Sequence, residues 1–184
     1  MNTKNRITAT ALAGGLALAL TAGAAQAGPG GSYVQLGYAD WDDLDDGFAY
    51  AASLSTGLPL RLFLDYVDVD NGANVTWFRA GGGWEFSITP MVGLELGLSY
   101  HELDFDTASD DGFGVHGNVR VKPIPPLTLS ARLEQVFFDD FEDETILALD
   151  AGYNFIPMVG AYLSYTTFDE GDNDLIQVGA RISF

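Results

Sequence analysis

The sequence predicts an all-β protein, a single antiparallel up-and-down β-barrel that crosses a membrane and is preceded by a cleavable signal peptide. Three observations support this fold class. Apolar and polar residues alternate with a period of two, acidic and proline-rich connections follow each other in turn, and the chain begins with a secretory leader. Such alternation gives a strand two chemically different faces. A closed sheet with lipid outside and polar groups inside has this pattern.

The segment 174–184 shows the alternation most clearly. One face carries only apolar side chains and ends on an aromatic residue, whereas the other face carries an amide, a guanidinium and a hydroxyl. A strand with an unbroken apolar stripe on one side is typical of a lipid-facing barrel. The stripe consists of Ile176, Val178, Ala180, Ile182 and Phe184.

Residues 1–27 have the layout of a secretory signal peptide. Lys4 and Arg6 precede a run rich in Ala, Leu and Gly, and Ala25-Gln26-Ala27 matches a cleavage site of small residues. Threonines interrupt the run, whereas a membrane-spanning helix needs about 20 apolar residues. We therefore expect a mature chain that begins near Gly28 and forms one domain, 28–184.

The composition excludes several classes of function. The 184 residues include 26 Asp and Glu but only eight Lys and Arg, and there is no Cys. Nucleic acid is not an expected partner, because phosphate binding requires clustered cations. The absence of thiols excludes disulfides and cysteine chemistry. Abundant aromatic and aliphatic residues argue against disorder.

Proline turns divide the chain into five hairpins and therefore predict ten strands, with eight as the alternative count. Proline cannot donate to a strand ladder and belongs at strand ends and turns. The same four-residue motif occurs at two corresponding turns, as Pro90-Met-Val-Gly93 and Pro157-Met-Val-Gly160. Each segment is close to the roughly 9–11 residues that a tilted transmembrane strand needs. The predicted strands are 32–40, 48–56, 60–68, 76–87, 91–103, 113–122, 127–137, 145–155, 158–168 and 174–184.

The connections at the two ends of the predicted barrel differ in charge. Those at 56–59, 88–90, 123–126 and 156–157 are short and contain proline, whereas the others are acidic. Short turns usually face the periplasm and longer loops the exterior. The acidic loops are therefore expected outside the cell, where they form an acidic mouth of Asp42, Asp43, Asp45, Asp46, Asp139, Asp140, Glu142, Asp143, Glu144, Asp169, Glu170 and Asp172.

Every arginine after residue 27 has the parity opposite to the apolar stripe of its strand. A charge on the lipid face would cost about 2–4 kcal/mol at the bilayer midplane. We therefore predict that these side chains point into the lumen, where they form either an ion-paired core or the lining of an ion path. His101 and His116 share the inward parity. The predicted lumen charge network is Arg61, Asp65, Arg79, Glu85, Glu95, Arg120, Arg132, Glu134, Asp150 and Arg181.

The final strand resembles the C-terminal strand of bacterial outer-membrane proteins, in which a terminal Phe forms part of the assembly signal. The family usually has Tyr where Ile182 stands. The whole of 28–184 resembles the small OmpA/OmpX/OmpW-like barrels or porins. The resemblance rests on the leader, the hairpin alternation, the aromatic residues and Phe184. The resemblance implies a Gram-negative outer-membrane location, contact with outer-membrane lipid, and recognition of Phe184 by the assembly machinery.

Some barrels of this kind are enzymes, which need a His with a carboxylate or Ser near the rim. Here His101, with Ser99 and Glu102, is the candidate, but Glu102 has the outward parity. The Asp-x-His pairing of the barrel proteases is absent. We therefore expect no enzymatic activity, no catalytic residues, no cofactor and no specific metal site.

Two functions from different classes remain. One is a narrow passive pore for small solutes, which favours cations because its mouth is acidic. The other is a closed structural or surface-interaction barrel, whose acidic loops bind partners or weakly collect divalent cations.

Overall fold

The computed structural model describes residues 31–42, 45–70, 74–105, 108–169 and 173–184. The predicted signal peptide, 1–27, lies outside the described residues. The strands are β1 (Tyr33–Trp41), β2 (Asp45–Ser55), β3 (Leu60–Asp70), β4 (Asn74–Thr89), β5 (Val92–Phe105), β6 (Ser109–Ile124), β7 (Leu127–Phe138), β8 (Glu144–Ile156), β9 (Val159–Phe168) and β10 (Asn173–Ser183).

Each strand pairs antiparallel with its sequence neighbours, and β1 pairs with β10 to close a ten-stranded barrel. The closing register places Tyr33 opposite Ser183 and Trp41 opposite Leu175. This result confirms the prediction of an all-β antiparallel barrel with ten strands rather than eight. The described part of the chain contains no helix that is long and apolar enough to cross a membrane.

The strands reach further into the acidic connections than predicted. β4 and β6 each have 16 residues, whereas 76–87 and 113–122 were expected. Asp110 and Asp111, expected in a loop, therefore belong to β6 and pair with β5. Asp has a weak strand propensity, but continued pairing satisfies backbone groups that a loop would leave to water. We call this end of the barrel the acidic end and the other the proline end.

The outer face of the barrel exposes a broad apolar belt. Leu98 and Phe113 are each 66% exposed, and Leu96 is 53% exposed. Exposed apolar surface on this scale indicates a partner or a membrane rather than water. Outward aromatic side chains lie toward both ends, as in the girdles of transmembrane barrels. They include Tyr38, Phe48, Tyr66, Phe78, Tyr100, Phe137 and Tyr165 toward the acidic end, and Trp84, Phe86, Tyr153 and Phe155 toward the proline end.

The interior of the barrel has two layers along the barrel axis. The layer at the acidic end, the upper layer, departs from the expected polar interior. At the acidic end the lumen is filled by an apolar plug, in which Val69, Val75 and Leu175 are fully buried. Within one strand, the apolar side chains can lie on the outer face over one part of its length and on the inner face over another. On β3, Leu62 and Leu64 face outward, whereas Val67 and Val69 face inward. The plug comprises Ala39, Trp41, Ala49, Val67, Val69, Val75, Trp77, Val136, Ile146 and Leu175, against which Leu103, Phe105, Phe138 and Phe168 pack.

The inner face of the sheet is packed more closely than the outer face, and the space around two glycines shows the difference. A Cβ on Gly97 would lie 2.6 Å from both Gly83 Cα and His116 Cε1, and closer still to the carbonyl oxygen of Gly82. A Cβ on Gly117, in the neighbouring strand, would meet only Leu96 Cδ2 at 3.5 Å. A side chain at Gly97 would therefore require the backbone to shift, whereas one at Gly117 would make only ordinary van der Waals contact.

We predict that Gly97→Ala destabilises the barrel by about 1–3 kcal/mol through overpacking, whereas Gly117→Ala leaves stability unchanged or gains about 0.4–1 kcal/mol from the less flexible unfolded chain. Urea unfolding of each variant, followed reversibly in detergent micelles, measures the difference. Equal losses for the two variants would show that the inward and outward assignments are wrong.

Candidate functional site

Below the plug, two pairs of opposite charges form an upper quartet, made of Arg79, Arg132, Asp65 and Glu134. Arg79 donates from Nε to Glu134 Oε2 at 2.9 Å and from Nη1 to Asp65 Oδ2 at 2.6 Å. Arg132 approaches the same two carboxylates at 3.3 Å and 3.9 Å. The Glu134 side chain is fully buried, whereas that of Asp65 is 27% exposed. Each arginine therefore shares both carboxylates, and the quartet is electrically balanced.

A lower quartet, again of two arginines and two carboxylates, lies nearer the proline end and contains Arg61, Arg120, Glu85 and Glu95. Arg120 contacts Glu85 at 3.1 Å and Glu95 at 3.5 Å. Arg61 contacts the same carboxylates at 3.5 Å and 3.4 Å. Arg61 also donates to Ser53 Oγ at 2.6 Å and to the carbonyl oxygen of Gly31 at 3.1 Å. A buried cation requires compensation of this kind.

His116 lies between the quartets. Its Nε2 is 3.3 Å from Glu95 Oε1 in the lower quartet, and its Nδ1 is 3.9 Å from Glu134 Oε1 in the upper quartet. The ring packs edge-on against Phe63, with centroids 5.3 Å apart. Phe63 in turn lies under the guanidinium of Arg79, at 4.0 Å. The two quartets and the histidine thus form one continuous network inside the barrel.

The remaining two charges of the predicted network lie outside the quartets. Asp150 accepts hydrogen bonds from Ser130 Oγ at 3.0 Å and from Ser164 Oγ at 2.7 Å. Arg181 lies over the ring of Tyr33, with its Cζ 3.8 Å from the centroid. The structure therefore brings eight of the ten predicted lumen charges into ion pairs and leaves Asp150 and Arg181 with other partners.

A buried Ser–His–Glu cluster lies at the upper quartet, but its hydrogen bonds do not activate the serine. His101 Nε2 is 3.1 Å from both Ser99 Oγ and Glu134 Oε1, and Ser99 Oγ also donates to Glu134. The indole N–H of Trp77 donates to His101 Nδ1 at 3.2 Å. Because Nδ1 accepts this bond, the proton of a neutral ring lies on Nε2, which then cannot accept the serine proton.

The carboxylate of this cluster was not identified from the sequence. Glu102, the neighbour of His101 in the chain, is exposed on the outer face, whereas Glu134 reaches the histidine from β7. The sequence separation of 33 residues gave no local signal for this contact. Register and barrel closure bring the two side chains together.

A polar cavity of about 70 Å³ lies beneath the plug and between the charged side chains. It is large enough for a few water molecules, because one water needs roughly 10–15 Å³ of such volume. Its wall combines members of both quartets with the underside of the plug, and includes Arg61, Asp65, Arg79, Glu95, Arg120, Arg132, Val67 and Trp77.

The acidic mouth is described only in part. Asp42, Asp46, Asp139, Asp140, Glu142, Asp143 and Asp169 are exposed at the acidic end, and Glu144 is half-buried. Asp45 belongs to β2, while Asp43, Glu170 and Asp172 lie outside the described residues. Within the described ranges, no three His, Asp or Glu side chains are grouped so that they could hold a metal ion.

Asp110 has a role that the sequence did not indicate. Its carboxylate accepts hydrogen bonds from the backbone N–H of Phe141 at 2.6 Å, of Asp140 at 3.0 Å and of Asp111 at 2.9 Å. Asp110 is buried although its neighbours are exposed. It therefore ties the connection between β7 and β8 to the start of β6 and positions part of the mouth.

Phe184 lies at the seam of the barrel. Its backbone N–H donates to the carbonyl oxygen of Ser32 at 2.9 Å, and its carbonyl oxygen accepts from the Ser32 N–H at 3.2 Å. These bonds extend the pairing of β1 with β10 by one residue pair. The terminal aromatic residue is thus held at the closing edge of the sheet.

We predict that Glu134→Gln destabilises the barrel by about 3–5 kcal/mol, because it leaves the buried Arg79 and the partly buried Arg132 short of negative charge. Asp65→Asn is the matched control, since Asp65 contacts the same two arginines but is partly exposed. Water can compensate for the lost charge there, so its loss should be clearly smaller. Urea unfolding midpoints measure both, and a larger loss for Asp65→Asn would contradict the assignment of Glu134 as the centre of the upper quartet.

Comparison with known proteins identifies the fold. No protein-family model matches the chain. No curated protein matches it either. Among solved structures, the NanC porin superposes with a TM-score of 0.53 and 12% sequence identity, covering 83% of this chain and 100% of that one. The KdgM porin gives a TM-score of 0.48 at 13% identity, covering 83% and 99% of the two chains. A de novo designed transmembrane β-barrel gives 0.43 at 13% identity, covering 84% and 96%. The chain has the fold of a small outer-membrane β-barrel protein.

Proposed function

We propose that the protein is a bacterial outer-membrane barrel that provides a narrow, gated passage for small polar solutes. The observation that carries this proposal is the arrangement of the lumen, in which a polar cavity lies directly beneath an apolar plug. Under this proposal the apolar outer belt contacts membrane lipid, the acidic end faces the exterior, and Phe184 serves recognition by the assembly machinery.

The plug has the properties of a hydrophobic gate. Trp41 stacks on Phe168 with centroids 5.3 Å apart, and Trp77 meets Phe168 edge-on at 5.6 Å. Ions and polar solutes lose hydration in an apolar constriction, which therefore blocks passage by excluding water. Displacement of the plug side chains, these rings among them, would connect the polar cavity to the mouth.

The alternative is a closed barrel that acts as a structural or surface-interaction module. The burial of the quartets favours it, because Arg61 and Glu134 are each only 1% exposed. Charges that are paired and fully enclosed contribute to a packed core rather than to the wall of an open path. In this case the acidic mouth would serve partners or cations at the surface.

Conductance of the plug variants separates the two functions. We predict that wild-type protein in planar bilayers opens rarely and briefly, and that the double variant Trp41→Ala, Phe168→Ala opens more often and with larger conductance. Phe113→Ala is the matched control, because Phe113 faces outward and is 66% exposed. A correctly folded double variant that never conducts would contradict the gate and support the closed barrel.

We further predict that the passage favours cations, because the exposed carboxylates of the mouth raise the local cation concentration. Changing Asp139, Asp140, Glu142 and Asp143 together to their amides, in the plug variant, should reduce the cation preference measured by reversal potentials. The reduction should be large at ~0.1 M salt and small at ~1 M, where the Debye length falls from about 10 Å to about 3 Å. Anion preference at low salt before these changes would contradict this account of the mouth.

A further inference from the structure

The four turns at the proline end are apolar, although they form the extremity of the barrel. Leu58 is 69% exposed, Ile88 64% and Ile156 59%. Turns that face water are normally built from Gly, Asn, Asp and Ser, and an exposed apolar surface indicates a partner. We call these exposed residues the apolar rim, which comprises Leu58, Pro59, Ile88, Pro90, Met91, Pro123, Ile124, Pro125, Ile156, Pro157 and Met158.

The apolar rim also lacks the charges that solvate the acidic end. The segments around the four turns, 53–60, 86–94, 121–129 and 151–163, contain no Asp or Glu. Lys122 is the only Lys or Arg in them, and it is half-buried. Surfaces of transmembrane barrels that contact hydrocarbon are depleted of charge in this way.

The backbone of the turns is adapted to an apolar medium, in which polar groups must be satisfied within the protein. Prolines remove N–H groups from all four turns. Thr89 Oγ1 accepts from the N–H groups of Met91 and Val92, at 3.2 Å and 3.0 Å. One carbonyl oxygen of each turn accepts from the strand that follows its hairpin: that of Pro59 from Glu85 N at 2.9 Å, and those of Met91, Pro126 and Met158 from Lys122 N, Asn154 N and Ser183 N, each at 2.8 Å.

The height of the apolar band requires the rim to be part of it. On β4 the outward side chains are uncharged from Phe78 to Ile88, whereas Glu102, which pairs with Phe78, is exposed on the outer face. The ten residue steps from 78 to 88 span roughly 23–27 Å, at about 3.3 Å per residue and a tilt of about 35–45°. The apolar band of a transmembrane barrel is about 25 Å tall. A band that ended at Trp84 would be only roughly 14–16 Å tall by the same geometry.

We propose that the apolar rim inserts into the lipid of the adjacent membrane leaflet, so that its partner is the acyl chains of phospholipids. The turns then end the barrel inside the membrane boundary instead of projecting into water. This inference rests on the membrane location in the proposed function, but it does not depend on whether the lumen conducts.

Collision of nitroxide labels with oxygen and with a water-soluble nickel chelate tests the insertion. The chain contains no Cys, so each single-Cys variant carries one label. In dioleoyl phosphatidylcholine nanodiscs, whose two faces are both open to the solution, we expect labels at Leu58→Cys and Ile156→Cys to collide mainly with oxygen. Leu96→Cys is the lipid-facing reference, and Asp140→Cys in the acidic mouth is the water-facing control, which should collide mainly with the chelate.

Each contrary result has a distinct meaning. Labels at positions 58 and 156 that meet the chelate as freely as the label at position 140 would overturn the insertion. Labels there that meet neither reagent would show that a second copy of the chain covers the rim, which would also overturn it. A label at position 96 that meets the chelate would instead contradict the membrane location on which the proposed function depends.

The wild-type protein provides a second readout if the labelled variants do not fold. Met91 and Met158 are the only methionines after residue 1, and both belong to the apolar rim. Periodate, a charged oxidant, should convert them to sulfoxides at least about tenfold more slowly in these nanodiscs than in the urea-unfolded chain, because lipid shields the two sulfur atoms. Equal rates of oxidation, measured by mass spectrometry, would overturn the proposal.

Discussion

The pairing of β1 with β10 is the constraint on which the rest of the structure depends. It converts a ten-stranded sheet into a tube, so that no strand edge remains unpaired in the described barrel. Closure also divides every side chain between an inside and an outside. The large apolar residues cover the outside over most of the barrel height, and the arginines and carboxylates of the two quartets share a narrow interior.

Compensation of charge organises that interior. Two carboxylates serve two arginines in each quartet, and His116 lies between the quartets. Where the interior carries no charges, apolar residues fill it and form the plug. Arg181 differs from the other four inward arginines in this respect. Each of those four contacts carboxylates, whereas Arg181 contacts none among the described residues.

The fold was predictable because strand alternation is a local property. The inward direction of Arg61 follows from its neighbours Leu60 and Leu62, without knowledge of any partner. The pairing of Arg79 with Glu134 was not predictable, because it spans 55 residues and joins two strands that are not adjacent in the sheet. The plug was missed for a different reason. On β3 the apolar side chains move from the outer face at Leu64 to the inner face at Val67, while the alternation itself continues.

The upper quartet joins side chains on β3, β4 and β7, and the lower quartet joins β3, β4, β5 and β6. Some of these ion pairs cross the lumen between strands that are not adjacent, rather than joining neighbouring strands. Such an ion pair holds opposite walls of the barrel at a set distance and resists flattening of the cross-section. It also limits how the barrel can be enlarged by duplication of a hairpin. An additional hairpin between β4 and β7 would increase the diameter and pull Arg79 away from Glu134. A wider descendant of this barrel would therefore need a new set of interior charges as well as two more strands.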